Sequence, residues 1–242
     1  MTTGLLLIHA FPVDATMWEA QAGGPRTVAP HLPGFGGTPP AEGGVMTMER
    51  GARRCIEALD EAGLERAAVC GVSMGGYVAL ELWRRSRDRI AGLVLANTRA
   101  GADTPEAADA RRALAERLRS EGNVLVDSPP PLLSAGASPA LWDRVRGWIG
   151  QQSPEAIAAA ALGMAERPDS TSDLETIDVP TLVITSEGDT LIPPEISTPM
   201  ADQIPGARLA VVPNAGHLSN VEAPDGFSAL LWSHLERCGA ER

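Results

Sequence analysis

Short apolar runs alternate with stretches of helical periodicity along most of this chain, and that alternation limits the fold more than any other feature. Leu5–His9, Arg26–Pro30, Ala67–Gly71, Ile90–Asn97, Pro180–Thr185 and Arg208–Val212 read as strands. Between and after them, Thr47–Ala62, Met74–Ser86, Pro194–Gln203 and a stretch near Asp225–Arg237 carry apolar residues at helical spacing. Strands alternating with helices predict a mostly parallel sheet with helices on both faces, an α/β architecture. One region breaks the rhythm. From Ala100 to Ser172 the strands vanish, and Thr104, Ser138 and Ser153 each stand one residue before a proline, the signature of an N-cap followed by proline at the first helical position. The chain therefore reads as one domain over 1–242, with a core of 1–99 and 173–242 and a helical insertion over 100–172.

Bulk properties narrow the function. A net charge of −11 argues against nucleic acid and anionic membranes as partners, because phosphate would be repelled. No apolar run approaches the ~18 residues of a membrane span, and the N-terminal "MTTGLLLIHAFPVD" lacks the basic start of a signal peptide. Cys55, Cys70 and Cys238 form neither a disulfide framework nor a metal-ligand spacing. Free thiols in a reducing, cytoplasmic setting are the expectation.

The chemistry gathers at "CGVSMGGY", Cys70 to Tyr77. Here a β-forming run stops and a helical one begins, with Ser73 at the corner inside G-x-S-x-G. A serine on so sharp a turn leaves no room for neighbouring side chains, which accounts for the glycines. The motif alone is weak; its strand-to-helix context gives it weight. A serine hydroxyl needs a base, and the base needs an acid to orient it. Of the four histidines, only His217, in "NAGHLSNVEAP", combines a late strand end, a glycine beside it and a position after every candidate acid; His234 falls inside the final helix. Asp189, in "SEGDTLIPP", follows a strand directly. Each also has a plainer reading: an aspartate ahead of proline can cap the next helix, and a histidine in a turn can be satisfied by backbone. The order Ser73, Asp189, His217 in the right strand-end positions favours a triad. Asn97 occupies an alternative acid position, but an amide cannot stabilise an imidazolium, so its replacement by alanine is expected to cost little. Two backbone N–H groups, of Met74 after the nucleophile and Phe11 in the loop after the first strand, are the expected oxyanion donors.

These blocks resemble the α/β-hydrolase superfamily over nearly the whole chain. "LLLIHAFPVDATMW" resembles its H-G-F-P oxyanion segment, "APHLPGFGGTPP" its D-x-x-G-x-G-x-S/T loop, and the three triad blocks its elbow, acid and histidine segments. Among subfamilies the chain looks most like carboxylic-ester hydrolases of the 3-oxoadipate enol-lactonase type. The resemblance implies an α/β-hydrolase fold with the helical insertion as a cap, lacking the N-terminal antiparallel edge hairpin. Ala10 stands where the family has glycine, and His31 where aspartate is usual.

The function expected is hydrolysis of a small-molecule carboxylic ester or lactone through an acyl-enzyme, with no metal or organic cofactor. A C–C bond hydrolase or thioesterase on the same triad, and a non-catalytic ligand-binding protein, are the alternatives, because fold does not fix the bond cleaved. Arg99 and Trp142 are the candidate substrate-binding residues. Arg99 lies just past the Ile90–Asn97 strand, where a cation would offset repulsion of an anionic substrate; the competing reading pairs it on the surface with Asp103 or Glu106.

Overall fold

The computed structural model describes residues 3–24 and 26–239, so the outermost limits of the 1–242 domain fall outside it. Six strands, β1 (Thr3–Ile8), β2 (Thr27–Val28), β3 (Arg66–Val72), β4 (Ile90–Ala96), β5 (Thr181–Ser186) and β6 (Arg208–Val212), form one sheet in the order β2-β1-β3-β4-β5-β6. Every pairing is parallel, so among the described residues there is no antiparallel edge hairpin. In β1, β3, β4 and β5 nearly every residue is buried. That is why these strands are continuous apolar runs rather than alternating ones: helices cover both faces.

The helices on the sheet are α1 (Met48–Glu61), α2 (Met74–Ser86), α6 (Pro194–Gln203), a short α7 (Ser219–Glu222) and α8 (Pro224–Arg237). Between β4 and β5 lie α3 (Pro105–Glu121), α4 (Pro139–Gly150) and α5 (Pro154–Ala165), with no strand. Their first turns form as the sequence dictates. The hydroxyls of Thr104, Ser138 and Ser153 accept from the N–H groups of Ala107, Leu141 and Ala156, with proline next in each case. Each such cap contributes about 1 kcal/mol. α5 is buried almost all round, as its alanine-rich sequence requires. It packs along α3, and its Ala159 carbonyl accepts from the Met46 N–H, tying the segment to the core.

Element boundaries match the periodicity closely, with one larger difference. The strand expected over Arg26–Pro30 shrinks to Thr27–Val28. It is an edge strand with a single neighbour, and Pro30 has no N–H to give a ladder. No helix is long and apolar enough to cross a membrane. Cys55, Cys70 and Cys238 are free thiols, and burial pushes that of Cys55 up to about 12.

Candidate active site

The order of the sheet determines where chemistry can be placed. After β1 the chain adds β2 on one side and then returns to place β3 on the other, so the strand order reverses between β1 and β3. At such a switch point the carboxyl-end loops part and leave a crevice. Register makes the loops level: Ile8 pairs with Gly71 and Val72 with Ala96, while Ser186 pairs with Val212 on the far side. The loops carrying Phe11, Ser73, Asn97, Asp189 and His217 therefore all leave the same edge.

Ser73 sits at φ 56°, ψ −115°, a left-handed conformation that non-glycine residues rarely adopt. The corner is held by backbone rather than by its own hydroxyl. The Ser73 N–H donates to the Ala96 carbonyl at 2.9 Å, and the Ser73 carbonyl accepts from Thr98 Oγ1 at 2.8 Å and from the Gly76 N–H. Two of the motif's glycines are required by contact. A Cβ on Gly71 would lie 2.2 Å from the Gly75 carbonyl oxygen, and one on Gly75 would lie 2.1 Å from that of Ile8. Met74 begins α2, so its N–H has no acceptor within the helix.

Opposite, His217 and Asp189 form a buried pair, His217 Nδ1 to Asp189 Oδ2 at 2.8 Å. A carboxylate can only accept, so Nδ1 carries the proton, and in the neutral ring the lone pair is then on Nε2. The other carboxylate oxygen, Oδ1, accepts from the N–H groups of Leu191 and Ile192, each at 2.9 Å. Burial by itself would raise the Asp189 pKa, but hydrogen bonds from His217, the Ile192 N–H and Asn97 outweigh it and hold the carboxyl below its usual range.

Asn97 has more to do than its sequence position suggests. At φ 46° its Nδ2 donates to Asp189 Oδ2 at 2.9 Å and to Ser186 Oγ at 2.8 Å, while its Oδ1 accepts from Ser219 Oγ at 2.7 Å. The amide thus shares the oxygen that orients His217. The expectation that alanine here is cheap is revised accordingly.

In the loop after β1, His9 is fully buried and neutral. Its Nδ1 donates to the Ala10 carbonyl and its Nε2 accepts from the Leu32 N–H, both at 3.0 Å. Burial brings its pKa down to about 4. Ala10 has no positive φ, so nothing in its backbone requires the family's glycine. His31 lies beside the same loop, with Asp14 at 3.8 Å and the Ala15 N–H at 3.4 Å from Nδ1.

Phe11, Ser73, Arg99 and His217 open on a common cavity of about 410 Å³, at the small end of ligand pockets. Arg111, Leu114, Leu125, Leu132 and Met164 from the segment between β4 and β5 complete much of its wall. Trp142 is not in that wall. It lies half-buried on α4 with the Arg146 guanidinium 5.6 Å from its ring, because the helix turns that face toward solvent and the protein surface. Arg111 and Leu114 carried no sequence signal, since α3 is charged along much of its length and only the tertiary fold selects which turn faces the cavity.

Glu222 is a further residue the motif order does not reveal. Its Oε2 accepts from the N–H groups of Ser134 at 2.9 Å and Gly216 at 2.8 Å, and its Oε1 accepts from the Ser134 hydroxyl. The Leu218 N–H donates to the Leu132 carbonyl at 2.8 Å. The loop that carries His217 is thereby clasped to residues 132–134. Glu222→Ala is expected to lower kcat roughly ten- to a hundredfold through misplacement of the imidazole. It should also cost about 1–3 kcal/mol in urea unfolding, because half-buried N–H groups lose their acceptor. An unchanged kcat at reduced stability would show that the clasp does not position His217.

A family model described as the alpha/beta hydrolase family matches residues 5–230. A pimeloyl-[acyl-carrier protein] methyl ester esterase of Aromatoleum aromaticum is 30% identical over 246 residues, covering 94% of this chain and 96% of the relative. Among solved structures, a thermophilic esterase from Thermogutta terrifontis, with malate bound, superposes with a TM-score of 0.92 at 40% identity, covering 98% of this chain and 92% of that one. The enol-lactonase from Burkholderia xenovorans LB400 gives a TM-score of 0.85 at 26% identity, with the same two coverages. A serine on a strained corner at the switch point of a parallel sheet, and a match running from the first strand into the last helix, make this chain a member of the alpha/beta hydrolase family.

Proposed function

We propose that the protein hydrolyses a small carboxylic ester or lactone through an acyl-enzyme on Ser73, with His217 as base and Asp189 as its orienting acid. The observation that carries this reading is the buried His217–Asp189 pair opening on the same cavity as a serine held at positive φ. His217 Nε2 takes the Ser73 Oγ proton as Oγ attacks the substrate carbonyl. The charge that develops on the carbonyl oxygen is received by the N–H groups of Met74 and Phe11. His217 then returns the proton to the departing alkoxide. In the second half, water loses a proton to the same nitrogen, attacks the acyl-Ser73 carbonyl and releases the acid. The step requires no cofactor, since acid–base and nucleophilic groups are all side chains.

The names of the similar proteins, an esterase, a methyl ester esterase and an enol-lactonase, support ester or lactone substrates over thioesters or C–C bonds. Residues 100–172 serve as a cap in this reading, because Arg111, Leu125 and Met164 wall the cavity. The three free thiols fit a reducing compartment, and we place the enzyme in the cytoplasm. A fluorophosphonate probe should form a single adduct, mapped by mass spectrometry to Ser73, and abolish hydrolysis of short p-nitrophenyl esters. An adduct elsewhere, or turnover confined to thioesters or vinylogous diketones, would overturn the assignment.

A further inference from the structure

The cavity beside Ser73 holds an unusual balance of charge for so acidic a protein. Apart from His217, its charged lining residues are two arginines, Arg99 and Arg111, and no aspartate or glutamate lines it. Arg99 stands two residues beyond Asn97, on the edge that carries Ser73. Its Nε is buried without a hydrogen-bond partner, and among the described residues no carboxylate pairs with it. The surface pairing with Asp103 that competes for Arg99 is not made, because Asp103 is already engaged. Its Oδ2 accepts from Arg111 Nε at 2.5 Å and its Oδ1 from Arg167 Nη1 at 2.8 Å. Arg167 is itself nearly fully buried, with further bonds to the Met164 and Gly101 carbonyls. Asp103 is thus shared by two guanidinium groups, while Arg99, on the same cavity as Arg111, has no carboxylate of its own among the described residues.

Arg99 is half-buried, with its Nε out of water and its charge beside the cavity unbalanced by any carboxylate, and an anion in the cavity would complete it. We propose that Arg99 and Arg111 form a subsite for a carboxylate on the substrate, so that the preferred substrates are esters or lactones bearing a free acid group, such as half-esters of short dicarboxylic acids. This rests on the ester-hydrolase reading and narrows its substrate class. Planar guanidinium groups suit a carboxylate in two-point contact. Arg111 reaches Asp103 through Nε, which leaves its Nη groups for the ligand. The apolar wall of Leu114, Leu125 and Met164 suits the methylene chain between the acid and the ester.

Two measurements separate the subsite from the chemistry. Glutarate should bind the unreactive Ser73→Ala protein in calorimetry, and binding should weaken by at least about tenfold when Arg99→Gln or Arg111→Ala is added. In the enzyme with Ser73 intact, monomethyl glutarate should be hydrolysed with a kcat/KM at least about tenfold above that of methyl pentanoate. Arg99→Gln should lower the first value roughly ten- to a hundredfold, far more than the second, with Arg99→Lys retaining part of the preference. Glutarate binding that depends on the arginines, without hydrolysis of either ester, would sustain the subsite and refute the ester reading. Equal turnover of both esters with no glutarate binding would refute the subsite and leave the ester reading standing. Thermal midpoints of each variant distinguish a lost contact from a lost fold.

Discussion

Ser73→Ala is expected to lower kcat on a short p-nitrophenyl ester by about 10⁴-fold or more, and His217→Ala to match it. The size follows from the way the two act as a unit: without the base the hydroxyl is not a nucleophile, and without the hydroxyl the base has nothing to activate. For the same reason the double variant should lose no more than either single one. Folding should survive. The Ser73 side chain makes no capping hydrogen bond, and the corner is held by the Ala96 and Thr98 contacts to its backbone. Alanine inherits the same strained φ, so the thermal midpoint should stay within a few degrees. Retention of a tenth of the activity by Ser73→Ala, at an unchanged midpoint, would exclude a serine nucleophile.

Most of the fold was legible because its inner strands are buried on both faces and its helices start with strong local signals. Thr104, Ser138 and Ser153 announce their helices through a single hydroxyl and the proline behind it, and no tertiary contact is needed to read them. The residues we propose as nucleophile, acid and base stood out for a different reason. Ser73 follows β3 at once, Asp189 and His217 lie in the loops after β5 and β6, and parallel strands bring their carboxyl ends to one edge. What sequence could not give is which side chains from the segment between β4 and β5 meet that edge. Trp142 lies on α4 and Arg111 on α3, and the packing of α3 against α5, not any local pattern, turns Arg111 inward while Trp142 faces away. Asn97 meets the same limit. Its residue type excludes it as an acid, but hydrogen bonds to Asp189, Ser186 and Ser219 span separations of 89 to 122 residues that no motif encodes.

That network sets a graded loss around Asp189. Asp189→Asn should lower kcat by about 10⁴-fold, because an amide at this position permits the wrong imidazole tautomer and leaves the imidazolium without its counter-charge. Asn97→Ala should cost less, roughly ten- to a hundredfold in kcat, with about 1–3 kcal/mol of stability. It removes a donor from Asp189 Oδ2 and strands the buried hydroxyls of Ser186 and Ser219, yet leaves the carboxylate its His217 bond and the two N–H groups of Leu191 and Ile192. The ranking alone would not separate positioning from general loosening of the core. A double-mutant cycle does. If Asn97 acts on catalysis through the carboxylate oxygen it shares with His217, its removal should cost little further kcat once Asp189 is already asparagine, while the stability loss persists. An Asn97→Ala penalty on kcat that is the same on both backgrounds would place its effect elsewhere, and would mean that Asp189 is held in register by Leu191 and Ile192 without help from the amide.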